Sequence, residues 1–259
     1  MGFYYPDDYG PHHATACGSA ARPGWRSFLS RFIDFRTTAI PRLPRGRLLE
    51  VGCGSGAFLR AMARDGWEVA GIEPAPAAAE AARAGGLRVF TGGIEDAAEP
   101  SEPFDLVVAW MAIEHLHDPV AALRKLRGWV RPDGWLALSV PNAASLEFRA
   151  FRSAWYALQL PTHLFHFTPG TLAKTLRAGG WERDRVIHQR LLSNLLASFG
   201  YWLSDRRLFS GVARKLVSLP DAPGRHHQWL YPLALTLGLL GQTGRMTVWA
   251  RPSVPADRT

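Results

Sequence analysis

Three glycines, Gly52, Gly54 and Gly56, stand close together after an apolar run, within the segment LLEVGCGSG (Leu48–Gly56). Glycine permits a sharp backbone turn, and it lets a ligand approach main-chain N–H groups at the positive end of a following helix. With Ala57 counted, the segment also satisfies the pattern Gly-x-Gly-x-x-Gly/Ala, so a nicotinamide-binding dehydrogenase is one alternative. A tight turn without any ligand is another.

An acidic residue, Glu73, ends the next apolar run and precedes Pro74. About 20 residues after a glycine turn, a carboxylate can accept hydrogen bonds from the ribose hydroxyls of an adenosine. The adenine ring would then lie near Gly93–Asp96, where either Glu95 or Asp96 would have to contact its amine. These residues predict an adenosine-binding site.

Three histidines lie where they could act on a bound molecule: His115 follows a later apolar run, and His163 and His166 lie on PTHLFHF. A neutral imidazole can take a proton from a hydroxyl near neutral pH. The structural alternatives are a turn capped by His115 with Asp118, and packing of His166 beside phenylalanines. Glu114, His115 and His163 could also form a metal site, but we expect no metal.

The elements that must position these residues alternate between short apolar runs and helical stretches. This rhythm predicts right-handed βαβ crossovers and a mostly parallel sheet. The apolar run MTVWA (Met246–Ala250) should return to the same sheet as its last strand. The earlier runs are RLLEV (Arg47–Val51), WEVAGI (Trp67–Ile72), LRVFT (Leu87–Thr91), DLVVAW (Asp105–Trp110), WLALSV (Trp135–Val140) and a strand around Arg185 to Leu191.

The order and spacing of the motifs resemble the class I S-adenosylmethionine-dependent methyltransferases over roughly residues 46 to 142. The continuation from Pro161 to Trp181 resembles the branch of small-molecule methyltransferases in which a Pro-x-His segment leads into a helix. Dehydrogenases do not share this continuation, which disfavours the nicotinamide alternative. The motifs that carry the resemblance are LLEVGCGSG, Glu73, FDLVVAW, IEHLHDP, LRKLRGWVRPDGWLALSVPN and PTHLFHFTPGTLAKTLRAGGW.

The resemblance implies an α/β fold: a Rossmann-like, seven-stranded, mostly parallel sheet with an antiparallel last strand and a helical C-terminal insertion. It implies S-adenosyl-L-methionine as cofactor, with Trp110 beside the reacting end and His115, His163 and His166 as catalytic candidates. The N-terminal arm, with Tyr9, would fold over the cofactor. The residues expected to bind the cofactor are Glu50, Gly52, Cys53, Gly54, Gly56, Glu73, Pro74, Glu95, Asp96, Trp110 and Tyr9.

The chain divides into four expected segments. Residues 1–45 form an N-terminal arm with an amphipathic helix, 46–191 the methyltransferase core, 192–244 a helical insertion or lid, and 245–259 the final strand and tail. The apolar runs of the insertion are too short to span a bilayer, but the arginines between them could give a peripheral membrane contact. The alternative that we favour is a lid that packs on the core.

Charge and composition narrow the function classes. The 30 basic and 22 acidic residues give a net charge of +8. From Arg149 to Arg251 there are 14 basic and 4 acidic residues, or +10, so the remainder carries −2. Only three of the basic residues are lysine, so we discount this charge as a sign of nucleic-acid binding. Two distant cysteines exclude a disulfide framework, and we expect a cytoplasmic protein.

The expected activity is O-methylation of a small molecule. An RNA or protein methyltransferase is the alternative, supported only by the basic C-terminal part. A non-catalytic cofactor-binding scaffold is a second alternative, against which the three glycines and Glu73 argue. The sequence does not determine the acceptor or the oligomeric state.

Overall fold

A single seven-stranded sheet organises the part of the chain that the computed structural model describes, namely Arg36, residues 39–220 and residues 230–253. The strand order is β3-β2-β1-β4-β5-β7-β6. Strands β1 to β5 pair in parallel, and β7 runs antiparallel between β5 and β6. The predicted Rossmann-like fold is therefore confirmed. The strands are β1 (Arg47–Val51), β2 (Glu68–Glu73), β3 (Arg88–Thr91), β4 (Phe104–Trp110), β5 (Val130–Pro141), β6 (Trp181–His188) and β7 (Arg245–Pro252).

Helices lie on both faces of the sheet, and two of them begin at well-formed caps beside the histidine segments. Asp118 accepts a hydrogen bond from the Ala121 amide (2.8 Å), and Thr168 forms a reciprocal capping box with Thr171. The helices are α1 (Ala57–Arg64), α2 (Pro76–Ala84), α3 (Pro119–Trp129), α4 (Leu146–Phe151), α5 (Pro169–Ala178), α6 (Ser193–Asp205), α7 (Ser210–Val217) and α8 (Tyr231–Leu239).

The sheet separates two apolar layers. On one side it packs against α3 and α5, and on the other against α1. Along β5 the side chains alternate, so Leu138 and Val140 face the α3 side while Ala137 faces the α1 side. Ser139 therefore points to the α1 side as well. Each large apolar side chain buried in these layers contributes about 1.5 to 3 kcal/mol.

Two elements differ from their predicted extents. The sequence pattern predicts one helix over Leu146 to Leu158, but α4 ends at Phe151, because Arg152 has a positive φ (49°), and two 3₁₀ turns follow. Strand β6 begins at Trp181, before the predicted Arg185, because the buried Trp181 indole donates to the Leu123 carbonyl (2.9 Å). The residues after Trp181 are charged and exposed, so the sequence pattern did not indicate that the strand begins there.

Helices α6, α7 and α8 connect β6 to β7. Helix α6 packs on the second 3₁₀ turn, where the Tyr156 amide donates to the Ser198 hydroxyl (2.9 Å). Leu192 and Leu237 form a small apolar cluster of their own with Ala234. Within the described residues, no helix combines the length and the apolar character needed to cross a bilayer.

Candidate active site

The glycine turn between β1 and α1 has a backbone that only glycine adopts readily. Gly52, Gly54 and Gly56 have φ values of 74°, 53° and 80°. Space is also restricted: a Cβ on Gly52 would lie 3.1 Å from the Ala112 Cβ, and one on Gly56 would lie 2.2 Å from a Leu87 methyl carbon. A side chain at Gly52 or Gly56 would therefore strain the backbone and crowd its neighbours.

Glu73, at the end of β2, is bonded directly to this turn. Its Oε2 accepts a hydrogen bond from the Gly54 amide (2.6 Å), and its Oε1 accepts one from the Ala75 amide (2.9 Å). The side chain is 5% exposed. Each carboxylate oxygen has a second lone pair, so both can still accept a ribose hydroxyl. The turn and Glu73 therefore fit an adenosine cofactor.

The residues predicted near the adenine ring are exposed. A Cβ on Gly93 would lie 2.2 Å from the Glu95 Oε2, so the Glu95 carboxylate occupies the space where a side chain at position 93 would be. Asp96 contacts Gly93 through its backbone amide (3.2 Å). Of the two alternatives, the Glu95 side chain is the one held at this turn. Pro74 is exposed next to Glu73.

Cys53 and Glu50 are buried behind the turn. A Cβ on Gly71 would lie 2.6 Å from the Cys53 Sγ, so the thiol fills the contact between the turn and β2. Burial raises the pKa of Cys53, and Glu50 and Glu73 act in the same direction. The thiol is therefore protonated and serves packing.

Trp110 ends β4 and packs edge-on against Phe58, with ring centroids 5.6 Å apart. The Arg36 guanidinium lies 5.7 Å from the centroid of Phe58. These aromatic rings line the α1 side of the sheet beside the glycine turn. Tyr9, the remaining predicted cofactor contact, lies outside the described residues.

The structure brings the three predicted histidines together. The ring centroids of His115 and His163 are 4.7 Å apart, and those of His163 and His166 are 6.2 Å apart. A carbonyl only accepts, so in each histidine the ring nitrogen that faces one carries the hydrogen. These donations are from His115 Nδ1 to Thr162 (2.9 Å), from His163 Nδ1 to Ala157 (2.8 Å) and from His166 Nε2 to Leu158 (2.9 Å).

The electrostatics of this group follow from burial. Burial lowers the pKa of His163 to about 4, with His115 adding to the effect, and it also lowers the pKa of His115 against the opposing Thr162 carbonyl. Burial raises the pKa of Glu114 to about 8. Both imidazoles are therefore neutral at pH 7. Asp118 caps α3 through its own side chain, away from the predicted pairing with His115.

Glu114, His115 and His163 also have the geometry of a metal site. One ligand atom from each lies within 4.8 Å of the others, and neither Glu114 oxygen has a hydrogen-bond partner in the described part of the chain. A carboxylate with imidazoles suits Zn²⁺ and other divalent ions, and the Nδ1 donations to carbonyls would orient the rings. The group could thus hold an ion, although the sequence led us to expect none.

Sequence reasoning missed a charged group behind the histidines. The Arg245 guanidinium at the start of β7 interacts with Glu114 and Glu147, which favour its charged form, while burial lowers its pKa. The Glu147 Oε1 accepts a hydrogen bond from the Gly244 amide (3.1 Å), and burial raises the pKa of Glu147 to about 7. The available signal was an arginine opening an otherwise apolar strand.

Comparisons with known proteins agree with this geometry. A family model described as "Methyltransferase domain" (Methyltransf_23) matches residues 22–186. A protein of Xanthomonas campestris pv. campestris named ubiquinone biosynthesis O-methyltransferase is 31% identical over 177 residues, which cover 65% of this chain and 72% of the relative.

Solved structures share the fold at low identity. An S-adenosylmethionine-dependent methyltransferase from Mesorhizobium loti superposes with a TM-score of 0.56 at 17% identity, covering 86% of this chain and 97% of that one. The [4+2]-cyclase SpnF superposes with a TM-score of 0.56 at 20% identity, covering 92% of this chain and 85% of that one. At such identities the likeness concerns the fold alone.

The chain belongs to the methyltransferase-domain family. It is a class I methyltransferase that uses S-adenosyl-L-methionine, so the predicted enzyme class, cofactor and small-molecule acceptor are confirmed. The oxygen atom as methyl acceptor, the site residues and the segment boundaries belong to the proposal that follows.

Proposed function

We propose that this enzyme transfers the methyl group to a hydroxyl oxygen of a small molecule. The observation that carries the proposal is that the Glu73-bonded glycine turn and the histidine group follow the carboxyl ends of neighbouring parallel strands. Ligands bind at this edge in open α/β sheets. The name of the Xanthomonas relative, an O-methyltransferase of ubiquinone biosynthesis, supports oxygen as the acceptor atom. We extend the proposal to a hydroxyl on an aromatic ring.

In this proposal the chain's own residues hold and align the cofactor. The glycine turn contacts the methionine part, Glu50 reaches its ammonium, Glu73 binds the ribose, and Glu95 contacts the adenine amine. Trp110 flanks the reacting end. When bound, S-adenosylmethionine supplies a methyl carbon already activated by its sulfonium. The protein therefore contributes mainly alignment and exclusion of water.

The histidine group lies where the acceptor hydroxyl would lose its proton. His163 keeps its hydrogen on Nδ1, facing the Ala157 carbonyl, which makes Nε2 its accepting nitrogen. His115 lies against His163, and His166 extends the group. One of these rings orients the hydroxyl and takes its proton as the oxygen attacks.

A divalent ion on Glu114, His115 and His163 is the alternative, and the closeness of their ligand atoms favours it. Such an ion would bind the acceptor oxygen and lower the pKa of its hydroxyl. Dialysis against a chelator distinguishes a histidine base from a bound divalent ion. We expect turnover to be retained. If turnover is lost and added Mg²⁺ or Zn²⁺ restores it, a bound ion rather than a histidine base activates the hydroxyl.

The remaining predicted partners and boundaries stand as proposals. We propose the segments 1–45, 46–191, 192–244 and 245–259, a cytoplasmic protein, no nucleic-acid partner, and contact of residues 192–244 with an anionic membrane surface. Exposed apolar side chains lie on or next to α6, α7 and α8, and exposed cations lie on or next to α7, which supports a lipid surface. The exposed apolar side chains are Phe199, Leu208, Phe209, Val212, Leu233, Leu239 and Leu240, and the nearby cations are Arg206, Arg207, Arg214 and Lys215.

The direct test is release of S-adenosylhomocysteine from purified enzyme supplied with phenols, quinols, amines, sugars or tRNA. We expect product only with hydroxylated aromatic molecules. Methylation of amines or tRNA without methylation of phenols would overturn the proposal. Binding of S-adenosylmethionine without any methyl transfer would support the non-catalytic scaffold.

A further inference from the structure

A buried amide, Gln189, links strands β5 and β7 through their side chains. Its Nε2 donates to the Ser139 hydroxyl on β5 and to the Thr247 hydroxyl on β7, both at 2.8 Å. Ser139 and Thr247 are fully buried, and Gln189 is 5% exposed. Three buried polar side chains thus meet on the α1 side of the sheet.

One end of this amide remains unpaired. The Gln189 Oε1 is buried and has no hydrogen-bond partner among the described residues. Rotating the amide by half a turn would let Oε1 accept from both hydroxyls, and Nε2 would then be the unpaired end. In either orientation a buried polar atom is left over. Such atoms are rare in folded proteins and point to a missing partner.

The strand register places this group beside Trp110. Ser139 pairs with Trp110 on β4 and with Thr247 on β7. Paired residues on neighbouring strands point to the same face, so the three side chains form one row on the α1 side. Adjacent strands lie about 4.8 Å apart, so the row is roughly 10 Å long, which is the length of a substituted aromatic ring.

We propose that Gln189, Ser139 and Thr247 bind a second polar group of the acceptor, a hydroxyl on the same aromatic ring, and thereby select the acceptor. This inference rests on the proposed O-methylation of a phenol. A hydroxyl both donates and accepts, so it pairs with the free end of the amide in either orientation. A site built to bind a hydroxyl rejects analogues that lack it, because its buried polar atoms are then unpaired.

The test compares the three dihydroxybenzene isomers with phenol, which lacks the second hydroxyl. We expect the wild-type enzyme to prefer at least one isomer over phenol by about tenfold or more in kcat/KM, measured as S-adenosylhomocysteine release. Gln189→Met keeps the length of the side chain and removes the amide, and it should reduce this preference to less than about twofold. Gln242→Met is the matched control, because both ends of that amide are paired, with Leu240 and Arg149.

Thr247→Val, which removes one hydroxyl and keeps the shape, is the second variant, used if Gln189→Met does not fold. Folding is checked by S-adenosylmethionine affinity within about twofold of wild type. A preference that survives both Gln189→Met and Thr247→Val would overturn the inference and leave the proposed function standing.

Equilibrium binding separates the two proposals. If the wild type binds S-adenosylmethionine but methylates none of these phenols, the proposed O-methylation fails. Affinity for the same four molecules, titrated with S-adenosylhomocysteine present, then decides the role of Gln189. A preference for a dihydroxybenzene that Gln189→Met abolishes supports it. No preference in the wild type, or an ordered water that stays on Gln189 with the acceptor bound, overturns it.

Discussion

The Glu73 carboxylate accepts a 2.6 Å hydrogen bond from the Gly54 amide, so the side chain expected to bind the ribose also fixes the glycine turn. Both hydrogen bonds to the Glu73 carboxylate come from backbone amides, those of Gly54 and Ala75. A hydrogen bond to a charged group contributes about 1.5 to 3 kcal/mol. Two parts of the cofactor site are therefore a single unit, and damage to Glu73 should affect both.

Replacing Glu73 with Ala should weaken S-adenosylmethionine binding at least about tenfold, because the acceptor for the ribose hydroxyls and the partner of Gly54 are both lost. Isothermal titration calorimetry measures this. Glu99→Ala, at an exposed position, is the control and should leave affinity unchanged. An unaltered dissociation constant in a folded Glu73→Ala protein would remove Glu73 from the cofactor site.

Replacing His115 or His163 with Gln should lower turnover by about 10² to 10⁴ while S-adenosylmethionine affinity stays nearly intact. The reason is that, in the proposed function, these rings face the acceptor rather than the cofactor. His117→Gln, at an exposed position close by, is the matched control. Full activity of both variants would mean that alignment alone drives the transfer to an already nucleophilic acceptor.

The free energy of unfolding should depend on pH through Glu147. Burial raises its folded pKa from 4.5 to about 7, so between these values the folded state holds a proton that the unfolded state has lost. The contribution of Glu147 is therefore fully present below about pH 4.5 and is lost as pH rises to about 7, by no more than roughly 3 kcal/mol.

Urea unfolding of wild type and Glu147→Gln at several pH values measures this contribution by difference, which cancels the opposite trend of His163. Because the folded pKa of His163 is lowered, its contribution to the stability of the fold is lost as pH falls from 6.5 to about 4. We expect the wild type to be more stable relative to Glu147→Gln at pH 5 than at pH 8. A difference that is constant with pH would contradict the raised pKa.

Residues 192–244 should bind vesicles that contain anionic lipid, and binding should weaken with added salt because exposed charges are screened. Reversing the charge of Arg214 and Lys215 together should reduce co-sedimentation several-fold. Lys174→Glu, on the exposed side of α5, is the control. If the protein stays in the supernatant at low salt, these helices act as a lid and the acceptor need not be membrane-bound.

Most of the features that the sequence predicted are encoded in short stretches of the chain. The glycine turn and Glu73 are encoded within some twenty residues, and the alternation of apolar runs determines the sheet. The end of α4 was missed because nothing local in the sequence predicts a positive φ at Arg152. The Gln189 group was missed because its partners are 50 and 58 residues away and meet only once β5, β6 and β7 pair. Such a site depends on strand order rather than on a motif.

The position of β7 between β5 and β6 determines when the strands can pair during synthesis. Among the strands that the structure describes, β6 pairs with β7 alone, so it lacks a partner from this set until residues 245–252 have left the ribosome. Strands β1 to β5 need none of these residues and can assemble earlier during synthesis. The glycine turn and Glu73 can therefore form while the chain is still growing, and the groups that include Thr247 and Arg245 are completed last.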